Sequence, residues 1–427
     1  MKESMKSVPR VYPAQTDTQS FGGLKLNITS AVDNRPIEGA VIDISYTGVP
    51  NQTLEELTTD AAGAAAAPDL PAPPKALSLE PSSEQPYSEY TLRISAPGYE
   101  PVVITGTEIL ADVTAIQNTA LNPLTSVPDT AESFIIGPHT LFGDYPPKII
   151  EEEIKPMDES GEIVLSRVVI PEYVVVHDGP PNDSAANNYY VRYRDYIKNV
   201  ASCEIYATWP EASILANVLA IQSFTLNRVY TEWYRGRGYN FTITSSTAYD
   251  HKWIPERNIY DTISAAVDSV FNNFLSRPNI RQPILTQYCD GERVTCPGLM
   301  SQWGSKTLGD QGLSAIEILR SFYGDSLYIN STNEISGVPS SWPGYDLTVG
   351  ARGEEVRQLQ EHLDTIADVY YPIPNIAQDG IYGPRTAEAV RAFQEYFGLP
   401  ATGVVDFPTW YKISAIYVAV TRIAEYE

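Results

Sequence analysis

From residue 22 to residue 124 the apolar positions recur with a period of two. Leu24, Leu26 and Ile28 alternate with polar neighbours, as do Ile42, Ile44 and Tyr46, and later Leu92 and Ile94. That period belongs to strands with one buried face. Turn-forming clusters separate the runs at Asp33-Asn34, Asp60–Gly63 and Pro97-Gly98. The pattern predicts a small β-sandwich over residues 22–124, with the Ala/Pro-rich stretch from Ala61 to Pro74 as an exposed loop. No catalytic constellation is visible there, so it reads as a spacer, a prosegment or an adhesion module. Residues 125–185 lose the period. They hold Pro146-Pro147, the acidic run Glu151–Glu153, and turn clusters at Asp158–Gly161 and Asp178–Pro181, with Tyr173–Val176 as the clearest strand. They read as a connector, the kind of segment where proteolysis concentrates.

The period changes to that of a helix beyond residue 186. Ile197, Val200, Ala201 and Glu204 fall at i, i+3, i+4 and i+7, one stripe of a helix, with Arg194, Asp195, Lys198, Asn199 and Ser202 on the other side. Glu204 therefore occupies a position where an apolar residue is expected. A carboxyl on a buried stripe loses solvation, which favours its protonated form and suits it to donating a proton near neutral pH. The alternative is a carboxylate paired with an Arg, or one reaching water at the helix end. A second helix is expected after Pro210, with Thr208 and Glu211 as a capping box and an interior, Ile214 to Phe224, that is apolar on most sides. Ser/Pro/Gly-rich residues 331–345 read as a linker.

Residues 346–426 contain an internal repeat: Val356–Leu363 (VRQLQEHL) matches Val390–Phe397 (VRAFQEYF), offset by 34 residues. Each copy places apolar residues at i, i+3 and i+7, one helical face. Gly398 follows the second copy, where a helix end favours positive φ. A third helix is expected from Asp406 as N-cap, with Pro408 in its first turn and Trp410 and Ile413 inward. The whole chain thus reads as multidomain α+β: an N-terminal β-sandwich, a central mixed α/β domain over 186–330 and a C-terminal three-helix module.

With 427 residues, two to four domains are expected. Net charge is −24 and no Lys/Arg cluster offsets it, which excludes a nucleic-acid-binding face. No stretch approaches the ~18 apolar residues of a membrane span, and the first twenty residues lack an apolar signal core. Three cysteines, Cys203, Cys289 and Cys296, argue against a disulfide framework. Asp290-Gly291 is a strong two-residue hairpin signal. A tight turn there would leave Cys289 and Cys296 roughly 13 Å apart along the strands, too far to bond. A zinc site from these cysteines and His251 matches no standard spacing, so no metal or cofactor is expected.

Three resemblances add to this reading. ITSAVDNRPIEGAVIDI and TTDAAGAA resemble carboxypeptidase-regulatory-like or transthyretin-like modules. LTVGARGEEVRQLQEHL, DGIYGPRTAEAVRAFQEYFGLPATGVVD and PTW resemble the peptidoglycan-binding type 1 domain. That resemblance implies recognition of wall glycan or stem peptide through Asp379, Gly380, Tyr382, Gly383 and Thr386. Tyr382 would offer a flat ring to a sugar, and the glycines would admit close backbone approach. Asp379 and Thr386 also read simply as cap and turn residues. EIYATWP, within Tyr196–Phe224, and CPGLMSQWGSKTLGDQGLSAIEILRSFYG resemble the stage II sporulation protein D, or amidase-enhancer, family of lytic transglycosylases. Glu204 lies on that family's catalytic glutamate. The chain departs from the pattern at Tyr206 (for Pro), Asn217 (for Gln), Gln222 (for Arg) and Cys296-Pro297 (for His-Gly).

The order of the domains, with YIKNVASCEIYATWPEA, is similar to clostridial spore cortex-lytic enzymes. That likeness implies glycan strands as substrate and a prosegment removed by an activating protease that cuts between the β-sandwich and Asp195. Wall action without an apolar signal core is reconciled by deposition at the spore cortex or coat from the mother-cell cytoplasm, the alternative being association with the cell wall. Tyr206, Ser246, Thr247, Tyr249, Asp250, Tyr288, Gln302 and Trp303 are candidates for gripping substrate, with Asp250 as a second carboxylate; each is equally explained by packing or turn chemistry. Two other readings stand beside the enzyme: a non-catalytic wall-binding protein or amidase activator, and a surface adhesin built on the β-sandwich.

Overall fold

A computed structural model describes residues 20–31, 34–124, 131–155, 168–234, 237–332, 343 and 345–421. The expected turns at Asp33 and at Asp158–Gly161, and most of the linker over 331–345, lie outside them. The chain divides into two compact units: residues 1–144, 202–210 and 254–265, and residues 145–201, 211–253 and 266–427. Among the described residues no helix is long and apolar enough to cross a membrane.

The first unit is built from two sheets. Its strands are β1 (Ser20–Ser30), β2 (Val41–Tyr46), β3 (Thr53–Thr58), β4 (Ala64–Ala72), β5 (Ser88–Ser95), β6 (Val102–Ile109), β7 (Thr114–Leu121) and β8 (Glu132–Ile135). One sheet has the order β3-β2-β5-β6-β8. The other contains β7-β1-β4, and β6 of the first sheet packs against its strands. Leu24, Leu26, Ile28, Ile42, Ile44, Leu92 and Ile94 are all buried, as the period of two requires. The stretch Ala61–Pro74 corrects the expected loop. It forms β4, antiparallel to β1 with Asn27 opposite Ala64 and Ser20 opposite Ala72. Ala67 and Leu70 face the core, and β4 ends the sheet order, where Pro68 and Pro71 are tolerated. Alanines carry so weak a hydrophobic alternation that composition alone concealed the strand.

In the second unit, β9 (Tyr173–His177) lies between β10 (Asn188–Arg192), antiparallel, and β11 (Ile243–Thr244), parallel. Helix α1 (Tyr193–Glu204) follows β10; its last three residues belong to the first unit. Helix α2 (Glu211–Tyr230) is buried nearly throughout, as its apolar circumference predicts. It begins after Pro210, and the Thr208 hydroxyl meets Ser78 Oγ at 2.7 Å, so the expected capping box is replaced by a tertiary bond.

Strand β12 (Ile259–Tyr260) joins the first unit's sheet beside β7. Helix α3 (Asp261–Ser269) follows it. Then come β13 (Asn273–Ser276), β14 (Tyr288–Cys289), β15 (Met300–Ser301), α4 (Gln302–Asp310), α5 (Ala315–Tyr323) and β16 (Tyr328–Ser331). β13 pairs with β16, and β14 with β15.

The C-terminal region is helical: α6 (Glu354–Ala367), α7 (Pro384–Tyr396) and α8 (Phe407–Thr421). Val356, Leu359, Leu363, Val390, Phe393, Trp410 and Ile413 share one core. Asp406 caps α8 by accepting the Thr409 N–H at 3.0 Å. The β9–β10 hairpin abuts α6. Tyr173 and Tyr190 stack 4.7 Å apart, Tyr173 donates to Glu354 at 2.8 Å, and the Tyr190 hydroxyl bonds Gln358.

Candidate functional site

Two regions carry the residues singled out from sequence. The first is the end of α1. Ile197, Val200, Ala201 and Glu204 are each 0% exposed, so the stripe is buried along its whole length. Residues from the loop after β8 close over its end. Thr140 donates its N–H (3.2 Å) and its hydroxyl (2.7 Å) to the Cys203 carbonyl, and the same hydroxyl lies 3.5 Å from Glu204 Oε2. The His139 ring stacks on Tyr206 at 4.4 Å, and its Nε2 lies 3.3 Å from the Ile205 carbonyl. Tyr206 meets Trp209 edge-on, and Trp209 Nε1 donates to the Ser78 carbonyl at 2.9 Å.

Beneath the helix end, buried Arg257 pairs with Glu108 at 2.6 Å and donates to the Ser202 carbonyl at 2.8 Å. Burial pushes the Glu108 carboxyl up while Arg257 beside it pulls it down; the net direction is upward. Asn258 exchanges two 3.0 Å bonds with the Glu108 backbone. All these groups lie within the first unit. Glu204 is thus at the place its helical spacing predicts, fully buried; sequence reasoning did not find Thr140, His139, Glu108 or Arg257, which come from distant segments.

The remaining candidates lie in the second unit. Asp250 is 0% exposed and accepts from Arg228 Nε (2.7 Å), the Tyr234 hydroxyl (2.7 Å), and the Thr244 N–H (2.9 Å) and hydroxyl (2.7 Å). Arg228 reaches on to Glu151 with two bonds, at 3.0 and 2.6 Å. Four donors occupy the Asp250 carboxylate, so it anchors a buried network; the expected role as a free second carboxylate is corrected. Ser246 turns the chain into that anchor, its carbonyl accepting the N–H groups of Tyr249 (3.0 Å) and Asp250 (2.8 Å). Thr247 is buried beside it.

Tyr288 is also buried. It stacks on His251 at 5.7 Å, with the Lys148 ammonium 4.9 Å from its ring centre. Lys148 also bonds the Asp250 carbonyl. Burial and the nearby Lys148 and Arg228 hold His251 well below the usual imidazole range. Gln302 and Trp303 open α4 and are buried, and the Trp303 N–H bonds the Asp290 carbonyl at 3.1 Å. The signal that could have revealed this network is Arg228 itself, the only cation of α2, in the last turn of a helix buried nearly throughout.

The loop at Asp290-Gly291 corrects a second expectation. The Asp290 carboxylate accepts the N–H groups of Glu292 (3.3 Å), Arg293 (3.0 Å) and Val294 (3.0 Å), curling the chain around itself in place of a two-residue hairpin. Gly291 has φ +85°, and a Cβ there would come within 1.9 Å of Ser301 Oγ. The curl brings Cys289 and Cys296 to a Cα separation of 5.8 Å, and they form a disulfide; Cys203 is buried and free of one.

The C-terminal module shows its repeat as geometry. Gln360 donates to Asp379 Oδ1 (2.9 Å), the Ile381 carbonyl (3.0 Å) and Thr386 Oγ1 (3.1 Å), and accepts the Gly380 N–H at 2.8 Å. Gln394, at the same place in the second copy, donates to Thr402 Oγ1 (3.3 Å), the Val404 carbonyl (2.8 Å) and Thr409 Oγ1 (3.0 Å), and accepts the Gly403 N–H at 2.8 Å. Each glutamine clamps a loop at a glycine of φ +69° and the start of the next helix. Asp379, Gly380 and Thr386 therefore serve the clamp, while Gly383 leads into α7, whose first residue is Pro384. Tyr382 is 0% exposed and donates to the Gly403 carbonyl at 3.0 Å. Its ring belongs to the core, which corrects the expectation that it faces a sugar.

Comparison with known proteins bears on this module. A family model described as "Putative peptidoglycan binding domain" matches residues 352–413, so a peptidoglycan-binding domain occupies the C-terminal helices. The chain is similar to N-acetylmuramoyl-L-alanine amidase CwlA of Bacillus subtilis, 45% identical over 51 residues, covering 11% of this chain and 18% of that protein. It is similar to N-acetylmuramoyl-L-alanine amidase CwlL of Bacillus licheniformis, 40% identical over 68 residues, 15% of this chain and 18% of that one. It is also similar to the zinc D-Ala-D-Ala carboxypeptidase of Streptomyces albus G, 41% identical over 75 residues, 17% of this chain and 27% of that one. The chain thus spans only about a fifth to a quarter of the length of these relatives. Among solved structures, the Bacillus anthracis TIE protein is 20% identical with a TM-score of 0.19, over 25% of this chain and 17% of that one, which carries no argument.

Proposed function

We propose that the chain is a peptidoglycan-cleaving enzyme, a lytic transglycosylase of the stage II sporulation protein D type acting on spore cortex or wall, made in a latent form. The observation that carries this reading is Glu204, a carboxylate on a wholly buried helical stripe in EIYATWP, in the same chain as a peptidoglycan-binding domain. The named relatives of that domain are wall hydrolases, which accords with a wall-acting enzyme.

In the reaction, Glu204 protonates the oxygen linking C1 of N-acetylmuramic acid to N-acetylglucosamine, and the C1–O bond breaks. Positive charge develops at C1. The Glu204 carboxylate then takes the proton of the same sugar's 6-hydroxyl, whose oxygen bonds C1 and closes a 1,6-anhydro ring. One carboxyl serves both steps and no water is consumed. A retaining or inverting hydrolase would need two carboxyls, and Asp250 is engaged elsewhere.

Latency follows from the cover over the helix end. Thr140 and His139 bond the Cys203 and Ile205 carbonyls, and Glu108 holds Arg257. Thr140, His139 and Glu108 all precede Tyr145 in sequence, so an activating protease that cuts between them and α1 would let these three groups leave Cys203, Ile205 and Arg257. Ser246, Thr247, Tyr249, Tyr288, Gln302 and Trp303, in the second unit, remain candidates for gripping glycan. A second reading, a non-catalytic wall tether or amidase activator, is favoured by the same closure and by Tyr206 in place of the family's proline.

The deciding experiment uses the full chain carrying a protease site between residues 155 and 168, cut after folding, alongside its Glu204→Gln variant. Both are incubated with purified cortex and the released muropeptides are read by mass spectrometry. Anhydro-muropeptides from the cut wild type alone are expected. Hydrated reducing ends would mean hydrolysis, and retained binding without products would establish the tether.

A further inference from the structure

The burial of Tyr382 removes the ring expected to meet a sugar, yet the same module exposes others. At the C-terminal ends of α6 and α7, Tyr370 packs edge-on against Tyr396 and Phe397, each at 5.2 Å, and Tyr396 meets Phe397 at 5.0 Å. Tyr371 is 90% exposed and Tyr396 50%. From α8, the Lys412 ammonium stands 5.7 Å from the centre of the Phe397 ring.

Exposing this much aromatic surface forgoes burial that would otherwise stabilise the fold, so its retention points to a ligand. Tyrosine suits a ligand that is apolar on one face and wet at its edges, and a hexopyranose ring is both. The cation at the rim matters because the chain carries a net charge of −24 and peptidoglycan carries carboxylates. Bulk charge repels the polymer; Lys412 gives local attraction.

We propose that Tyr371 and Tyr396 form a glycan platform: each takes the CH face of an N-acetylhexosamine ring, and Lys412 pairs with a muramyl lactyl or stem-peptide carboxylate. This inference rests on the peptidoglycan-binding character of the module and not on the activity proposed above. It places glycan contact at the C-terminal ends of α6 and α7, away from the Asp379–Gly383 loop, whose Asp379 Oδ1, Gly380 N–H and Ile381 carbonyl bond Gln360.

The test uses the full chain with Tyr371→Ala, Tyr396→Ala, the double variant and the paired Tyr→Phe changes. Co-sedimentation with purified sacculi is measured beside binding of chitohexaose, a glycan without muramic acid or peptide. Each alanine is expected to weaken both by about tenfold, the ratio set by ~1.4 kcal/mol. The phenylalanine variants should bind as the wild type does. Lys412→Gln should weaken sacculus binding and leave chitohexaose unchanged. A double alanine variant that binds both ligands like the wild type overturns the platform, as does a change in oligomeric state in place of glycan affinity, which would make the patch a contact between copies. If the wild type itself fails to sediment with sacculi, the module's assignment falls and the platform with it.

Discussion

Replacing Asp250 by Asn separates an anchoring carboxylate from a catalytic one. Its Oδ1 accepts Arg228 Nε, while its Oδ2 accepts the Tyr234 hydroxyl and both Thr244 donors. An asparagine has one oxygen. If that oxygen faces Thr244, the NH2 group confronts the guanidinium; if it faces Arg228, the NH2 group confronts the Thr244 N–H. Either flip sets donor against donor and leaves a buried cation short of charge. Breaking a buried pair from one side costs about 3–5 kcal/mol. Arg228 keeps its two bonds to Glu151, so the lower end, about 3 kcal/mol, is expected. At about 2–4 °C per kcal/mol for a domain of this size, the melting temperature should fall by roughly 6–12 °C. Differential scanning calorimetry gives the shift, and hydrogen exchange at the Thr244 amide localises it. A melting point within about 2 °C of wild type, with cortex cleavage abolished, would refute the anchoring role and return Asp250 to the chemistry.

Further outcomes follow from the same structure. Gln360→Ala should cost about 1–3 kcal/mol by orphaning the buried Gly380 N–H, and should speed exchange at Gly380 while sparing Gly403. Gln394→Ala should do the reverse, and equal acceleration at both sites would deny that the clamps act separately. Thiol titration of the unfolded, unreduced chain should find Cys203 alone. Reduction should then lower stability by about 2–3 kcal/mol for so short a loop, and three free thiols at the outset would contradict the disulfide.

Glu89 and Glu256 are pushed up to about 7 from 4.5, each chiefly by burial. A carboxyl that holds its proton more tightly folded than unfolded stabilises fully below about 4.5 and loses that contribution as pH rises to about 7. The first unit should therefore melt at lower temperature at pH 7 than at pH 5, and the opposite trend would count against these shifts.

Much of the architecture was legible along the chain. The alternation at Leu24–Ile28 and Ile42–Ile44, the stripe ending at Glu204, the duplicated helices and the Asp406 cap all appear where periodicity places them. The second clamp was legible too, since Gln360 and Gln394 occupy one position of the repeat. β4 escaped because alanine and proline carry little periodic signal, and the Asp290 curl escaped because a carboxylate accepting three backbone donors outweighed the Asp-Gly hairpin preference.

By itself the sequence determined where strands and helices form and which face of each is apolar, because neighbouring residues encode a period through local geometry. It also marked Glu204 and the C-terminal module as places of interest. Only the tertiary structure decided which side chains are open to a ligand. Tyr382 is spent in a core, Asp250 on Arg228, Thr386 on Gln360, and Glu204 lies beneath Thr140, while Tyr371 and Tyr396 stand in solvent. A side chain's availability depends on partners far away in the chain, and no local pattern records who those partners are.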